Sequence, residues 1–148
     1  MGRREPLDWA TLMMCEPLIA SAANIILTGI IHSTYSVLMK IGGIETPVVL
    51  DTGSSDLWVI SDACSGNCSA SVPLYPQATF RSTGLDARLL YGDSSTGTHA
   101  FGLVGMDTVG LADFMLQDQY FAAINNTNTS ILETGSAGLF GLGFPINR

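Results

Sequence analysis

The run Leu50-Asp51-Thr52-Gly53-Ser54-Ser55-Asp56-Leu57-Trp58-Val59 concentrates groups able to move protons. Asp51 follows the apolar Val48-Val49-Leu50, and small hydrogen-bonding residues separate it from a second apolar stretch. Such a loop can hold a carboxylate in an apolar surround while aiming donors at it. Gly53 lets its N–H come close because nothing projects from its Cα, and a serine hydroxyl adds a further bond. Donors favour the ionised carboxylate and apolar burial favours the protonated one, so a group caught between them suits acid–base work. Read on its own, Asp-Thr-Gly is also an ordinary Asx-type turn between strands.

Other chemistries find little support. There is no Walker A run, no H-E-x-x-H and no G-x-S-x-G, and the glycines of Gly138-Leu139-Phe140-Gly141-Leu142-Gly143 run in reverse order to a dinucleotide fingerprint. His32 and His99 are isolated. Cys64 and Cys68 bracket Ser65-Gly66-Asn67, a loop small enough for a local disulfide; a metal pair is the rival, with a poor ligand set. Cys15 is left over. Asn67, Asn125 and Asn128 each open an N-x-[ST] sequon, which together with a disulfide tilts toward an oxidising, secreted or vacuolar setting.

The elements that must position Asp51 read as strands. Tyr35–Ile41 and Thr46–Leu50 flank Gly42-Gly43 as a hairpin, and Leu57–Ile60 follows the Asp51 loop. Arg88–Tyr91 and Thr98–Val104 flank Gly92–Gly97 as a second hairpin. Met106–Leu111, Phe114–Phe121, a polar loop over Asn125–Ser130 and an apolar segment over Gly138–Phe144 complete an all-β reading. The 148 residues suit one domain, and 47% apolar against 13% charged residues exclude wholesale disorder. A net charge of −7 argues against a nucleic-acid partner, and no apolar run approaches the roughly 18 residues that span a bilayer. From Asn24 to Asn147 the only basic residues besides His are Lys40, Arg81 and Arg88, which fits either a solvated acidic surface or a protein built for low pH. Residues 1–23 read as a leader or a non-native N-terminal segment: Arg3 and Arg4 precede Leu7–Ala20 and a small-residue Ala20-Ser21-Ala22 site, as in a signal peptide, though Glu5, Asp8, Glu16 and Pro17 interrupt the apolar stretch.

Asp51–Val59 resembles the active-site loop of pepsin-like aspartic proteases, and the rest of the chain from Asn24 to Phe144 is similar in order and spacing. Cys64 and Cys68 stand where that family has a small disulfide loop, and Tyr91-Gly92-Asp93 resembles its flap hairpin. Ala137–Gly143 resembles the segment that threads beneath the active-site loop, with Ala137 where the family has Asp. The resemblance implies one lobe of a bilobal all-β acid protease, no cofactor and no metal, and a polypeptide substrate. It implies Asp51 as a catalytic carboxylate, Ser54 as its hydrogen-bond donor and Gly53 beside it. Tyr91 would lie over substrate with its hydroxyl bonded to the Trp58 indole, Gly92 and Asp93 would pair with an extended peptide, and Val49 and Leu139 would wall apolar pockets.

Such enzymes need two aspartates sharing one proton and a water. Asp51-Thr52-Gly53 occurs once, and no other Asp precedes Thr-Gly or Ser-Gly. The chain therefore reads, over 24–148, as a truncated N-terminal lobe that needs a C-terminal lobe or a second chain to complete the dyad. A homodimer is one route; a non-catalytic module that binds peptide or a partner without cutting is the alternative.

Overall fold

The computed structural model describes residues 28–30, 34–65, 68, 71–92 and 97–144. The leader reading of residues 1–23, Cys15, Asn67 and Asp93 lie outside them. The strands are β1 (Thr28–Ile30), β2 (Thr34–Ile41), β3 (Ile44–Asp51), β4 (Leu57–Ile60), β5 (Arg81–Tyr91), β6 (Thr98–Leu111), β7 (Phe114–Thr127) and β8 (Gly138–Gly141), with one short 3-10 helix over Ile131–Thr134.

Gly42 and Gly43 turn β2 into β3 with φ of 55° and 87°. Two successive positive φ values define the tight turn whose twist suits a two-residue hairpin. Gly42 is required for a second reason, since a Cβ there would stand 2.6 Å from Asp107 Oδ2 and 2.8 Å from Tyr75 Cε2. The sheet order β2-β3-β8-β4-β7-β6 closes on itself through β2–β6 pairs from Met39↔Leu111 to Ile41↔Val109, giving a six-stranded barrel with β1 and β5 at its flanks. Closure pairs N–H and C=O groups of β2 and β6 that an open sheet would leave exposed there, and β1 and β5 remain as edges. The all-β, pepsin-like lobe expected from the sequence is the fold observed.

β4 is buried at every position because it runs between β7 and β8 with a core on each face. Leu57 and Val59 join Val37, Met39, Ile41, Val48, Tyr75, Val109, Phe121 and Phe140, whereas Trp58 and Ile60 join Ala100, Ala122, Ile124 and Ile131 on the other side. Alternating residues of a strand point to opposite faces, so a continuous apolar run is what a doubly covered strand needs. Full burial of side chains such as Val59 and Phe140 stabilises the fold by about 1.5–3 kcal/mol each.

Several strands are longer than their sequence patterns. Thr98–Val104 and Met106–Leu111 form one strand, β6, because Gly105 between them is not a turn. Its bare Cα lets β5 come close: a Cβ there would lie 2.6 Å from the Arg81 carbonyl. β5 begins at Arg81 rather than Arg88, with Gly84 at φ 79° in a bulge between Ser82 and Leu85 that disguises the strand as a loop. β7 likewise runs through the polar Asn125 to Thr127, and β8 stops at Gly141, short of Phe144. The strand β1 was not signalled by the pattern.

Candidate active site

β3 ends at Asp51, the chain turns through Thr52–Asp56, and β4 leads away. β8 fills the gap between these strands, parallel to β3 through Val49↔Leu139, Leu50↔Phe140 and Asp51↔Gly141. It is antiparallel to β4 through Leu57↔Phe140, Trp58↔Leu139 and Val59↔Gly138. From the last residue of β8 onward the backbone continues to brace the loop: Gly141 N–H donates to the Asp56 carbonyl at 3.0 Å, Leu142 N–H to the Asp51 carbonyl at 2.7 Å, and Gly143 N–H to the Ser54 carbonyl at 2.7 Å. Glycine is needed at 141, where a Cβ would lie 2.5 Å from Asp56 N and 2.7 Å from Ser54 O. Ala137, fully buried, ties β3 to β4 by donating to the Pro47 carbonyl at 2.8 Å and accepting the Ile60 N–H at 2.7 Å.

The Asp51 carboxylate is half-buried, with donors at both oxygens. Gly53 N–H reaches Oδ1 at 2.8 Å and Ser54 Oγ donates to Oδ2 at 2.6 Å. Both bonds fix the carboxylate's orientation and leave lone pairs over for a water or an incoming group. Above the loop, Trp58 Nε1–H donates to Tyr91 Oη at 2.7 Å, joining β4 to the end of β5. The Tyr91 hydroxyl proton is held more tightly than usual; burial is the main cause, and the charges of Asp56 and Asp51 add to it. With its oxygen accepting from the indole, this phenol keeps its proton for donation elsewhere. Gly92, exposed with φ 79°, bends the chain immediately after Tyr91.

Gly53, Ser54, Ser55, Asp56 and Arg88 to Tyr91 line a cavity of about 510 Å³ that opens between the Asp51 loop and β5. The sequence offers no signal for Arg88, Leu89 and Leu90 in this wall, since they reach it only through the placement of β5, whereas Asp56 comes with the Asp51 loop itself. Val49 and Leu139 stand side by side across β3 and β8, half-buried against the core around Trp58. Cys64 and Cys68 are joined in a disulfide. Asn125 is exposed, and its carbonyl accepts the Ser65 N–H at 2.9 Å, next to that loop. Among the described residues no group of His, Cys, Asp and Glu could hold a metal ion, and no helix is long and apolar enough to cross a membrane.

A sequence model described as "Eukaryotic aspartyl protease" matches residues 34–148. Similar curated proteins include Rhizopuspepsin-4 of Rhizopus niveus, 36% identical over 69% of this chain and 25% of its own length. An aspartic protease of Phaffia rhodozyma is 35% identical over 85% of this chain and 31% of its own length. Secreted aspartic protease 7 of Candida albicans is 34% identical over 77% of this chain and 20% of its own length. The chain thus spans between a fifth and a third of the length of these relatives. With Asp-Thr-Gly-Ser held at the barrel gap and a family match over most of its length, this chain belongs to the eukaryotic aspartyl protease family.

Proposed function

We propose that this chain is the N-terminal lobe of an aspartic endopeptidase and that Asp51 is one half of its catalytic dyad. The observation that carries the reading is the Asp51 carboxylate gripped by Gly53 N–H and Ser54 Oγ, two residues that line a cavity whose other wall holds Tyr91. A second lobe or a second chain supplies the other aspartate. Two carboxylates sharing a site cannot both ionise, so one keeps a proton while the other acts as base. The base takes a proton from a bound water as its oxygen bonds to the scissile carbonyl carbon, and the acid protonates the carbonyl oxygen. The fixed hydrogen bonds at Asp51 orient the carboxylate for this exchange. The cavity beside it, with the apolar Leu89 and Leu90, accommodates a peptide side chain next to the scissile bond. Gly92 and Asp93 pair with the extended substrate in β fashion. The disulfide and the kinship with a relative named as secreted support a secreted or vacuolar enzyme.

The test is cleavage of a denatured protein at acid pH by the purified chain, alone and together with a lobe that carries a second Asp-Thr-Gly or Asp-Ser-Gly. Asp51→Ala is expected to lower the rate at least about a hundredfold, the usual scale for removing an acid–base group, and a statine-type mimic is expected to block the parent. Cleavage that survives Asp51→Ala would overturn the reading.

A further inference from the structure

The hairpin that carries Tyr91 is paired unevenly next to its turn. β5 and β6 stay in register out to Tyr91↔Thr98, whereas β6 and β7 begin pairing only at Ala100↔Thr127. On the β7 side, Gly97 to His99 therefore lack a strand neighbour, and side chains take that place. Asn128 Oδ1 accepts the His99 N–H at 2.7 Å and Asn128 Nδ2 donates to the Gly97 carbonyl at 3.4 Å. Thr127 Oγ1, itself buried, donates to the His99 carbonyl at 2.6 Å and accepts the Thr129 N–H at 3.1 Å. The His99 ring lies on Phe101 with centroids 4.5 Å apart, and its Nε2 is 2.8 Å from Asn126 Oδ1. The Asn128 amide thus offers the base of β6 one acceptor and one donor, as a further residue of β7 would.

We propose that Asn128, supported by Thr127, is a positioning residue: it anchors the root of β6 and, through the pairs Leu90↔His99 and Tyr91↔Thr98, holds Tyr91 against Trp58 beside Asp51. What Tyr91 does to substrate rests on the protease reading above; the anchoring itself does not. Both sequon asparagines of this segment are exposed, but these bonds give the Asn128 side chain a structural use.

Solvent exchange at two protons tests the anchor in the full, 15N-labelled chain: the His99 amide and the Trp58 indole N–H, with Trp9→Phe to assign the indole signals. Asn128→Ala is expected to speed exchange at both by about tenfold, the scale of losing an ordinary hydrogen bond in a local opening, while the core amides of Val59 and Ile124 keep their rates. Asn128→Asp keeps an oxygen for the His99 N–H and is expected to hold that amide within about threefold of the parent. Thr127→Val, similar in shape, removes the bond to the His99 carbonyl and is expected to speed the indole proton without touching Asn128; it carries the test if Asn128→Ala does not fold. Tyr91→Phe gives the indole rate with its acceptor gone. Parent-like indole exchange in Asn128→Ala, or in Thr127→Val where that variant carries the test, overturns the proposal, as does acceleration shared equally by Val59 and Ile124. Proteolysis dependent on Asp51 is scored separately, and its absence counts against the protease reading while the exchange rates still decide the anchor.

Discussion

The Asp51 carboxylate meets a donor at each oxygen, whereas the fully buried Ser136 hydroxyl meets no partner among the described residues. A buried hydroxyl without a bond forfeits about 1–3 kcal/mol of hydration that nothing returns. Ser136 stands just before Ala137, whose backbone ties β3 to β4, and two residues before β8 begins. Ser136→Ala is expected to stabilise the chain by about 1 kcal/mol, raising its thermal midpoint by about 3 °C. A thermal melt checks this; a lower midpoint would show that the hydroxyl has a partner after all. At this scale Asp51, Ser54, Trp58 and Tyr91 were legible because their motifs are contiguous or resemble a known pattern. Ser136 was not, since burial of one hydroxyl depends on what folds over it.

Among the elements, β8 decides whether the Asp51 loop has a shape. Its pairing with both β3 and β4 forces the chain between them to bulge outward as the loop that presents the carboxylate. The Gly141 N–H, with the backbone N–H groups of Leu142 and Gly143, holds that bulge from below. A methyl at 141 would press on the backbone of Asp56 and Ser54, which cannot swing aside as a side chain could. Gly141→Ala is expected to cost about 2–3 kcal/mol by overpacking, seen as a lower urea midpoint, and to take with it any Asp51-dependent cleavage. An unchanged midpoint would mean that β8 is not what shapes the loop. The hairpin at Gly42-Gly43 was readable from its glycines, and so was the strand over Leu57–Ile60 from its apolar run. The long strands β5 and β6 were not, because Gly84 and Gly105 mimic turns while serving a bulge and a close strand contact.

For the molecule as a whole, a buried carboxylate sits at the seam where the barrel closes. Asp107 Oδ2 accepts from Tyr75 Oη and Thr79 Oγ1, each at 2.6 Å, and its Oδ1 accepts the Thr108 N–H at 2.7 Å. Thr108 also receives the Gly42 N–H at 2.9 Å through its carbonyl, tying the β2–β3 turn to β6. Burial alone would raise the Asp107 carboxyl, but the bonds from Thr79, Tyr75 and Thr108 and the nearby Arg81 outweigh it and hold it below the usual carboxylate range. A carboxylate depressed in the folded state contributes stability that is full above its unfolded value, about 3.9, and is lost as the pH falls through the folded one. Asp107→Asn is therefore expected to lower stability at pH 7 by about 1–3 kcal/mol and to flatten the loss of stability that the parent shows in acid. Chemical denaturation at a series of pH values checks both, and an unchanged acid slope would remove Asp107 as its source.

By itself the sequence determined the Gly42-Gly43 turn, the all-β class, the strand β4 and the Asp51 motif, because each is written in neighbouring residues: a pair of glycines, an apolar run, a short string of donors around one carboxylate. Only the tertiary structure decided that β8 enters between β3 and β4, that β2 meets β6 to close the barrel, and that the Asn128 side chain completes the β6 ladder. These contacts join residues far apart in the chain, and alternation specifies which face a residue takes without naming the strand it will lie beside.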